Sequence, residues 1–402
     1  MERTLVTEQR KVLTRWPHAL AVGGAYVFLA STYISIAVNS LSMGLMAAAL
    51  LGTALTERKW PVARTPFDFY FLGFVIIQTI STLFSSDPLQ SLILSKRVLL
   101  VGLVYFFATI VNTEGKARNL VTVLLGTATV VALLGVLKLA TGGPGDNTRL
   151  NIFQFYMTTS ELLTTATLLL FPFAIHPITP RKVRLLAIFA LIPVLISLWA
   201  TVTRGAYLAA ISGLVFVAIV RNRRLLLPIG VGITILFFFA PTYVRNRVES
   251  IIDVNHPENI ARVELWKAGI KIFKDHPIVG VGDIDTGHLI DQYADPSLPR
   301  IWGHLHNTPL QLLVNYGILG FVALIGMFVK IFSVEWEIFS RVKNSWFEGS
   351  FALGTLAALV AFFVSGLTEW TFGDQEVITL VWSTLGILLG IARLADQNAA
   401  VC

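Results

Sequence analysis

Between Leu185 and Val220 the sequence reads LLAIFALIPVLISLWATVTRGAYLAAISGLVFVAIV, and Arg204 is its only charged residue. A helix crossing a hydrocarbon core of about 30 Å needs roughly 20 apolar residues. The stretch is too long for one span and divides into two, 185–202 and 205–220, on either side of Thr203-Arg204. A charge at the centre of a span costs about 2.5 to 3.5 kcal/mol, so Arg204 belongs where one span ends and the next begins. There it either snorkels to lipid headgroups or, with Gly205 permitting a tight backbone, turns its guanidinium inward.

The rest of the chain has the same character. Hydrophobic residues make up 55%, charged residues 14%, and mean hydropathy is +0.71, whereas soluble domains are about a quarter charged. A water-soluble fold is excluded. The expected fold is an all-α polytopic membrane protein of about twelve transmembrane helices, at 18–38, 41–56, 67–84, 90–111, 119–140, 161–176, 185–202, 205–220, 225–243, 308–332, 350–369 and 375–392. Residues 1–402 form one transmembrane domain. The polar segment Met1 to Trp16 lacks the pattern of a removed signal peptide, so the first run is expected to stay as a span. The only cysteine, Cys402, excludes an intrachain disulfide and a thiolate zinc site.

A net charge of +7 could point to nucleic acid, but the basic residues follow the gaps between spans. Alternate gaps collect Arg58, Lys59 and Arg64, then Lys116 and Arg118, then Arg181, Lys182 and Arg184, then Arg221, Arg223 and Arg224, then Arg341 and Lys343. The positive-inside rule makes that side cytoplasmic and both termini cytoplasmic. No nucleic-acid partner is expected. On the opposite side, 244–307 is the one sizeable loop, expected to carry short amphipathic helices. No solenoid-period repeat is present.

Several ionisable residues converge on that opposite, external surface. Lys96 and Arg97 lie about two turns inside a span, because Val98 to Val111 alone is too short to cross. They suit headgroup anchors or an anion site. On a helix from Arg262 to Lys274, Lys267, Lys271, Lys274 and Glu264 share one side, with Val263, Leu265, Trp266, Ile270, Ile272 and Phe273 across the other. Arg262 projects from the apolar side and stands in the first turn, where helix amides favour anions. In Trp302-Gly-His304-Leu-His306-Asn307-Thr-Pro309, Asn307 suits an N-cap and Pro309 a first turn. His306 then faces the positive end of a helix dipole, which disfavours imidazolium and suits a general base. The pair His304 and His306 with Asp283 and Asp285 could instead bind a metal. Glu369, at the external end of its span, could orient the base or pair an arginine, or be a simple interfacial residue. Arg149 reaches the same surface. Several cations with one neutral histidine suit a substrate carrying a diphosphate leaving group, and no Gly-rich nucleotide-binding loop is present.

Ala261-Arg262-Val-Glu-Leu-Trp266, His276-Pro-Ile-Val-Gly280-Val-Gly282, His304-Leu-His306-Asn307 and Leu313-Val-Asn-Tyr-Gly317-Ile-Leu-Gly320 together resemble the bacterial O-antigen ligase and polymerase superfamily, and Thr203-Arg204-Gly205-Ala206 resembles its preceding motif. The resemblance implies a lipopolysaccharide O-antigen ligase of the bacterial inner membrane. It would move O-antigen from undecaprenyl diphosphate to a sugar hydroxyl of lipid A-core at the periplasmic face, with inversion and with no metal or other cofactor. It implies His306 as base and Arg204 and Arg262 as the catalytic diphosphate holders. Lys96, Arg97, Arg149, His304, Asn307 and Glu369 would assist in substrate binding, amid membrane lipids. The segment after Arg149 lacks the glycine expected of the family. An O-antigen polymerase or an O-linked oligosaccharyltransferase would use the same residues. A secondary transporter is a distant alternative, requiring a mid-membrane site and interrupted helices in corresponding halves.

Overall fold

The computed structural model describes residues 2–58, 62–142, 149–295 and 303–401, which are helical with no strand among them. Lys59, Trp302 and Cys402 lie outside the described residues, as does 296–302 of the long loop. The chain opens on a helical hairpin, α1 (Glu2–Ser31) and α2 (Ile36–Glu57). The first run, expected to reach residue 38, stops at Ser31. The hydroxyls of Ser31 and Thr32 donate to Phe28 O at 3.0 Å each, and Ser35 Oγ accepts from Val38 N to start the second helix. After α3 (Asp68–Leu83), the run expected over 90–111 breaks into α4 (Pro88–Leu94), a 3-10 turn over Ser95–Val101, and α5 (Gly102–Ile110). Lys96 and Arg97 therefore sit in a tightened turn, a feature that often marks a functional break in a helix.

Long helices follow: α6 (Glu114–Gly142), α7 (Tyr156–Ile175), α8 (Arg181–Ala200) and α9 (Arg204–Arg221). The stretch 185–220 is thus the expected hairpin, with Arg204 as the first residue of its second helix. α10 (Leu226–Phe238) is 13 residues long with no buried side chain. At 1.5 Å per residue it covers about 20 Å. Its run was expected to continue to 243, but Pro241 cannot extend a helix and opens the next one. The long connection holds α11 (Thr242–Glu249), α12 (Pro257–Asp275) and α13 (Gly287–Tyr293), and the chain closes with α14 (Thr308–Val342), α15 (Trp346–Gly366) and α16 (Gln375–Val401).

Among the described residues nine helical segments are long and apolar enough to cross a membrane, which makes this a multi-pass membrane protein. The runs at 18–38, 67–84 and 225–243 are helical too, but their apolar portions, Pro17–Ser31, Asp68–Leu83 and Leu226–Phe238, are shorter than a full span. α7, α15 and α16 are the most buried helices. Large apolar side chains such as Leu41, Leu55, Phe69 and Leu186 stand outward, which suits a surface solvated by lipid.

The two ends of the bundle differ in charge. At one end Arg184 and Arg221 donate to the carbonyls of His176 and Lys343, Arg341 pairs with Asp396 at 2.6 Å, Arg393 donates to Ala108 O, and Arg118 lies 5.4 Å from the Trp346 ring. These are the residues assigned from sequence to one side. The start of α9, the start of α14 and the segment after α15 lie at the other end, because α14 and α9 point away from their basic C-termini.

α14 is interrupted at Gly317, where φ is 62°. The backbone after α12 fills the break. Val281 N and Gly282 N donate to Val314 O and Asn315 O at 2.9 and 3.0 Å, and Ile318 N donates to Pro277 O at 2.8 Å. A Cβ on Gly317 would stand 2.3 Å from Ile278 O, so only glycine allows this approach. The interrupted backbone is satisfied by protein rather than by lipid. Interruptions thus occur in the 95–101 turn and at Gly317, and the loop 277–285 packs against both, through Asp283 on Arg97 and through its backbone on α14. On α12, Leu265, Ala268 and Ile272 are buried while Val263 and Ile270 are exposed. Only part of the expected apolar side meets the bundle.

Candidate active site

His306 is placed by the residues around it. Asn307 N-caps α14, its Oδ1 accepting from Leu310 N at 2.9 Å and its Nδ2 donating to Leu367 O at 3.1 Å. Both ends of the amide are thus used within the protein. Thr308 Oγ1 donates to Glu369 O at 2.8 Å and accepts from Thr371 N at 3.1 Å. Trp266 of α12 donates through Nε1 to Leu305 O at 3.1 Å. The start of α14 is therefore joined to the end of α15 on one side and to α12 on the other. Between them the His306 backbone takes φ 47°, and Val202, two residues before Arg204, takes 52°. Left-handed backbone costs L-residues about 1 to 2 kcal/mol, and such strain gathers at functional sites.

Glu369 links two elements. Its Oε2 lies 2.8 Å from His306 Nδ1 and its Oε1 lies 2.8 Å from Arg262 Nη2. The side chains are 11% (Glu369), 9% (His306) and 15% (Arg262) exposed. A carboxylate accepts only, so Nδ1 carries the hydrogen and the tautomer is fixed by its partner. Glu369 thus touches a histidine and an arginine at once. Arg262 does project from the buried side of α12.

Close by, Arg204 is buried and donates to Ser250 O at 2.7 Å, Ser250 Oγ at 3.0 Å and Glu258 Oε2 at 2.9 Å. Arg247 binds both oxygens of Glu258, at 2.8 and 2.7 Å. Arg149 stands 3.7 Å from Glu258 Oε1 with its guanidinium 4.5 Å from the Tyr156 ring. Burial works to raise the Glu258 carboxyl, but Arg247, Arg204 and Arg149 overcome it and hold the group at about 2. Gly205 brings this cluster to the Glu369 segment, since a Cβ there would lie 2.7 Å from Thr368 Oγ1 and 4.0 Å from Glu369 Cγ.

Arg97 turns toward the loop after α12 and pairs with the buried Asp283 at 3.2 Å. Burial raises the Asp283 carboxyl, and Arg97 opposes it. Lys96 is exposed and forms no ion pair among the described residues. Asp285 Oδ1 accepts from Gly287 N at 2.9 Å. With Asp283 and Asp285 committed elsewhere, the His304–His306–Asp283–Asp285 set does not assemble. Among the described residues no three His, Cys, Asp or Glu side chains are disposed to hold a metal ion.

His304 packs on His306 with ring centroids 4.1 Å apart, and its Nδ1 accepts from His306 N at 3.2 Å. Burial, with the charges of His306, Arg262 and Arg97, pushes His304 down from 6.5 to about 4. Between those values the unfolded chain binds a proton that the folded chain does not. Stability is therefore lost as pH falls through that window. Thermal melts in detergent should show a falling Tm from pH 6.5 to 4 and a shallower fall in His304→Asn. Equal slopes would remove His304 as the cause.

Sequence reasoning passed over Arg247, Ser250 and Glu258. All lie in the polar connection before Arg262, where charges are ordinary, and only folding brings them onto Arg204. A histidine joined to a carboxylate has the arrangement to take a proton from a hydroxyl, and guanidiniums beside it to absorb charge on a leaving group. Residues 186–325 match the family model described as O-antigen ligase. The match spans both Arg204 and the α12 to α14 segment with His306. No curated protein matches the chain.

Proposed function

We propose, from a chain that carries an O-antigen ligase family domain over residues 186–325, that it transfers lipid-linked glycan as a lipopolysaccharide O-antigen ligase. The donor is O-antigen on undecaprenyl diphosphate and the acceptor a sugar hydroxyl of lipid A-core. The charged end of the bundle opposite the basic end faces the periplasm, with both termini cytoplasmic in the inner membrane, in keeping with the positive-inside rule. The acceptor oxygen attacks the anomeric carbon, its proton passes to Nε2 of His306, and the bond from that carbon to phosphate oxygen breaks. Undecaprenyl diphosphate leaves, and a single displacement inverts the anomeric centre. Glu369 holds Nδ1–H and so keeps the basic nitrogen toward the acceptor. Arg204 and Arg262 take the charge that develops on the diphosphate.

The observation that carries this reading is the bridge His306–Glu369–Arg262, in which one buried carboxylate ties the histidine to a guanidinium. Arg262→Lys keeps the charge but loses the planar fork, and kcat/KM is expected to fall about tenfold to a hundredfold; unaltered kinetics would return Arg262 to a structural role. The deciding experiment supplies purified protein in detergent with undecaprenyl-diphosphate O-antigen, with or without lipid A-core. Glycan on lipid A-core, formed equally in a chelator, supports the ligase. Elongation of the donor alone would make it a polymerase, and no product with either would count against both.

A further inference from the structure

Glu258 is an odd anion for its surroundings. Arg247 takes both of its oxygens, Arg204 shares Oε2, and Arg149 is left at 3.7 Å, beyond hydrogen-bond reach. One carboxylate has too few lone pairs for three guanidiniums with five N–H donors each. The shortfall is visible, because Arg247 Nε is buried without a hydrogen-bond partner. Exposure runs the wrong way for a structural centre: the Glu258 side chain is 38% exposed, against 5% for Arg204, 16% for Arg247 and 18% for Arg149. The arginines line the back of a seat, and the carboxylate sits at its mouth.

The seat does not depend on Glu258 alone. Arg204 is also held by Ser250 O and Oγ, and Ser250 O in turn accepts from Asn259 Nδ2 at 2.9 Å. Glu258 follows Pro257 in the first turn of α12, where a carboxylate turned outward is still favoured by the helix N-terminus. With Glu258 turned out, the four guanidiniums would face Glu369 alone, an excess of three positive charges that outweighs the donor's charge. A diphosphate diester carries two negative charges, one on each phosphate.

We propose that Glu258 occupies the place of a donor phosphate, that Arg247 is a further guanidinium of that phosphate seat, and that donor binding turns the Glu258 side chain out toward solvent. The proposal rests on the diphosphate-donor reading above. Glu258 then sets donor affinity by competing with the substrate, so its removal strengthens binding, whereas loss of a merely structural ion pair would weaken it.

The test measures binding of undecaprenyl diphosphate and of inorganic pyrophosphate to the full chain in detergent, for wild type, Glu258→Gln, Glu258→Asp and Arg247→Gln. Glu258→Gln is expected to bind undecaprenyl diphosphate about tenfold more tightly, since a competing charge-assisted contact is gone. Arg247→Gln should bind it about tenfold more weakly. Glu258→Asp keeps the charge on a shorter arm, preserves folding if the glutamine variant does not, and should also gain affinity. If wild type binds the lipid diphosphate and both Glu258 variants bind it equally or more weakly, the placeholder role is overturned and the donor reading stands. If no form binds the lipid but Glu258→Gln gains affinity for pyrophosphate, the seat stands and the lipid-donor reading falls. No binding of either probe by any form overturns both.

Discussion

Replacing His306 with asparagine is expected to abolish transfer, lowering turnover by about 10² to 10⁴-fold, while undecaprenyl diphosphate binding changes little. Asparagine is the sharper choice over alanine for two physical reasons. The His306 backbone has φ 47°, a conformation that asparagine tolerates better than most L-residues. Its amide N–H can also replace Nδ1–H toward Glu369 Oε2, now 2.8 Å away, so the bridge to Arg262 survives while the nitrogen that would accept the proton is removed. Turnover is measured with saturating donor and acceptor, and binding separately. Near-normal turnover would eliminate His306 as the base, and lost binding with preserved turnover per bound donor would make it a donor-binding residue instead.

Glu369→Gln should be nearly as damaging for a different reason. Both groups facing the carboxylate, Arg262 Nη2 and His306 Nδ1–H, are donors. A glutamine offers one oxygen and one NH₂, so one contact turns donor against donor unless the imidazole changes tautomer. That change puts the hydrogen on Nε2 and removes the base. A loss of about 10³ to 10⁴-fold in kcat follows from the wrong tautomer. The variant should also melt lower, because stripping one partner from a buried ion pair costs about 3 to 5 kcal/mol. Combined with His306→Asn, the change should cost little more than either alone, since the two act as one unit. Full additivity of the two losses would separate Glu369 from the base.

The membrane architecture was legible because its cause is local. Roughly 20 apolar residues either are or are not present, and Arg204 alone within 185–220 could sit only at a hairpin turn. The interruptions were less legible. Nothing local to Ser95–Val101 signals a 3-10 turn, which is stabilised by packing against the loop carrying Asp283. Likewise Gly317 marks a break in α14 only because Ile278 comes within contact of it. The amphipathic reading of α12 picked out Arg262 correctly as an inward residue, yet it treated Val263 and Ile270 as its equals on the apolar side, and these are exposed. Helical periodicity tells which residues share a side, not which neighbour that side will meet.

The candidate site divides along the same line. Arg204, Arg262, His306 and Glu369 stood out in sequence because charge within or beside apolar segments is costly enough to require a reason. Arg247 and Glu258 lie in a polar connection where charge costs nothing, so no local signal set them apart. Sequence alone determined the membrane class, the helical content, and that Arg204, Arg262, His306 and Glu369 share one end of the bundle, since each follows from the transfer free energy of single segments. Only the tertiary structure decided that Glu369 joins His306 to Arg262 and that Glu258 bonds Arg204 and Arg247 with Arg149 beside it. Those pairings depend on distances between helices far apart in the chain, which packing sets and local composition does not.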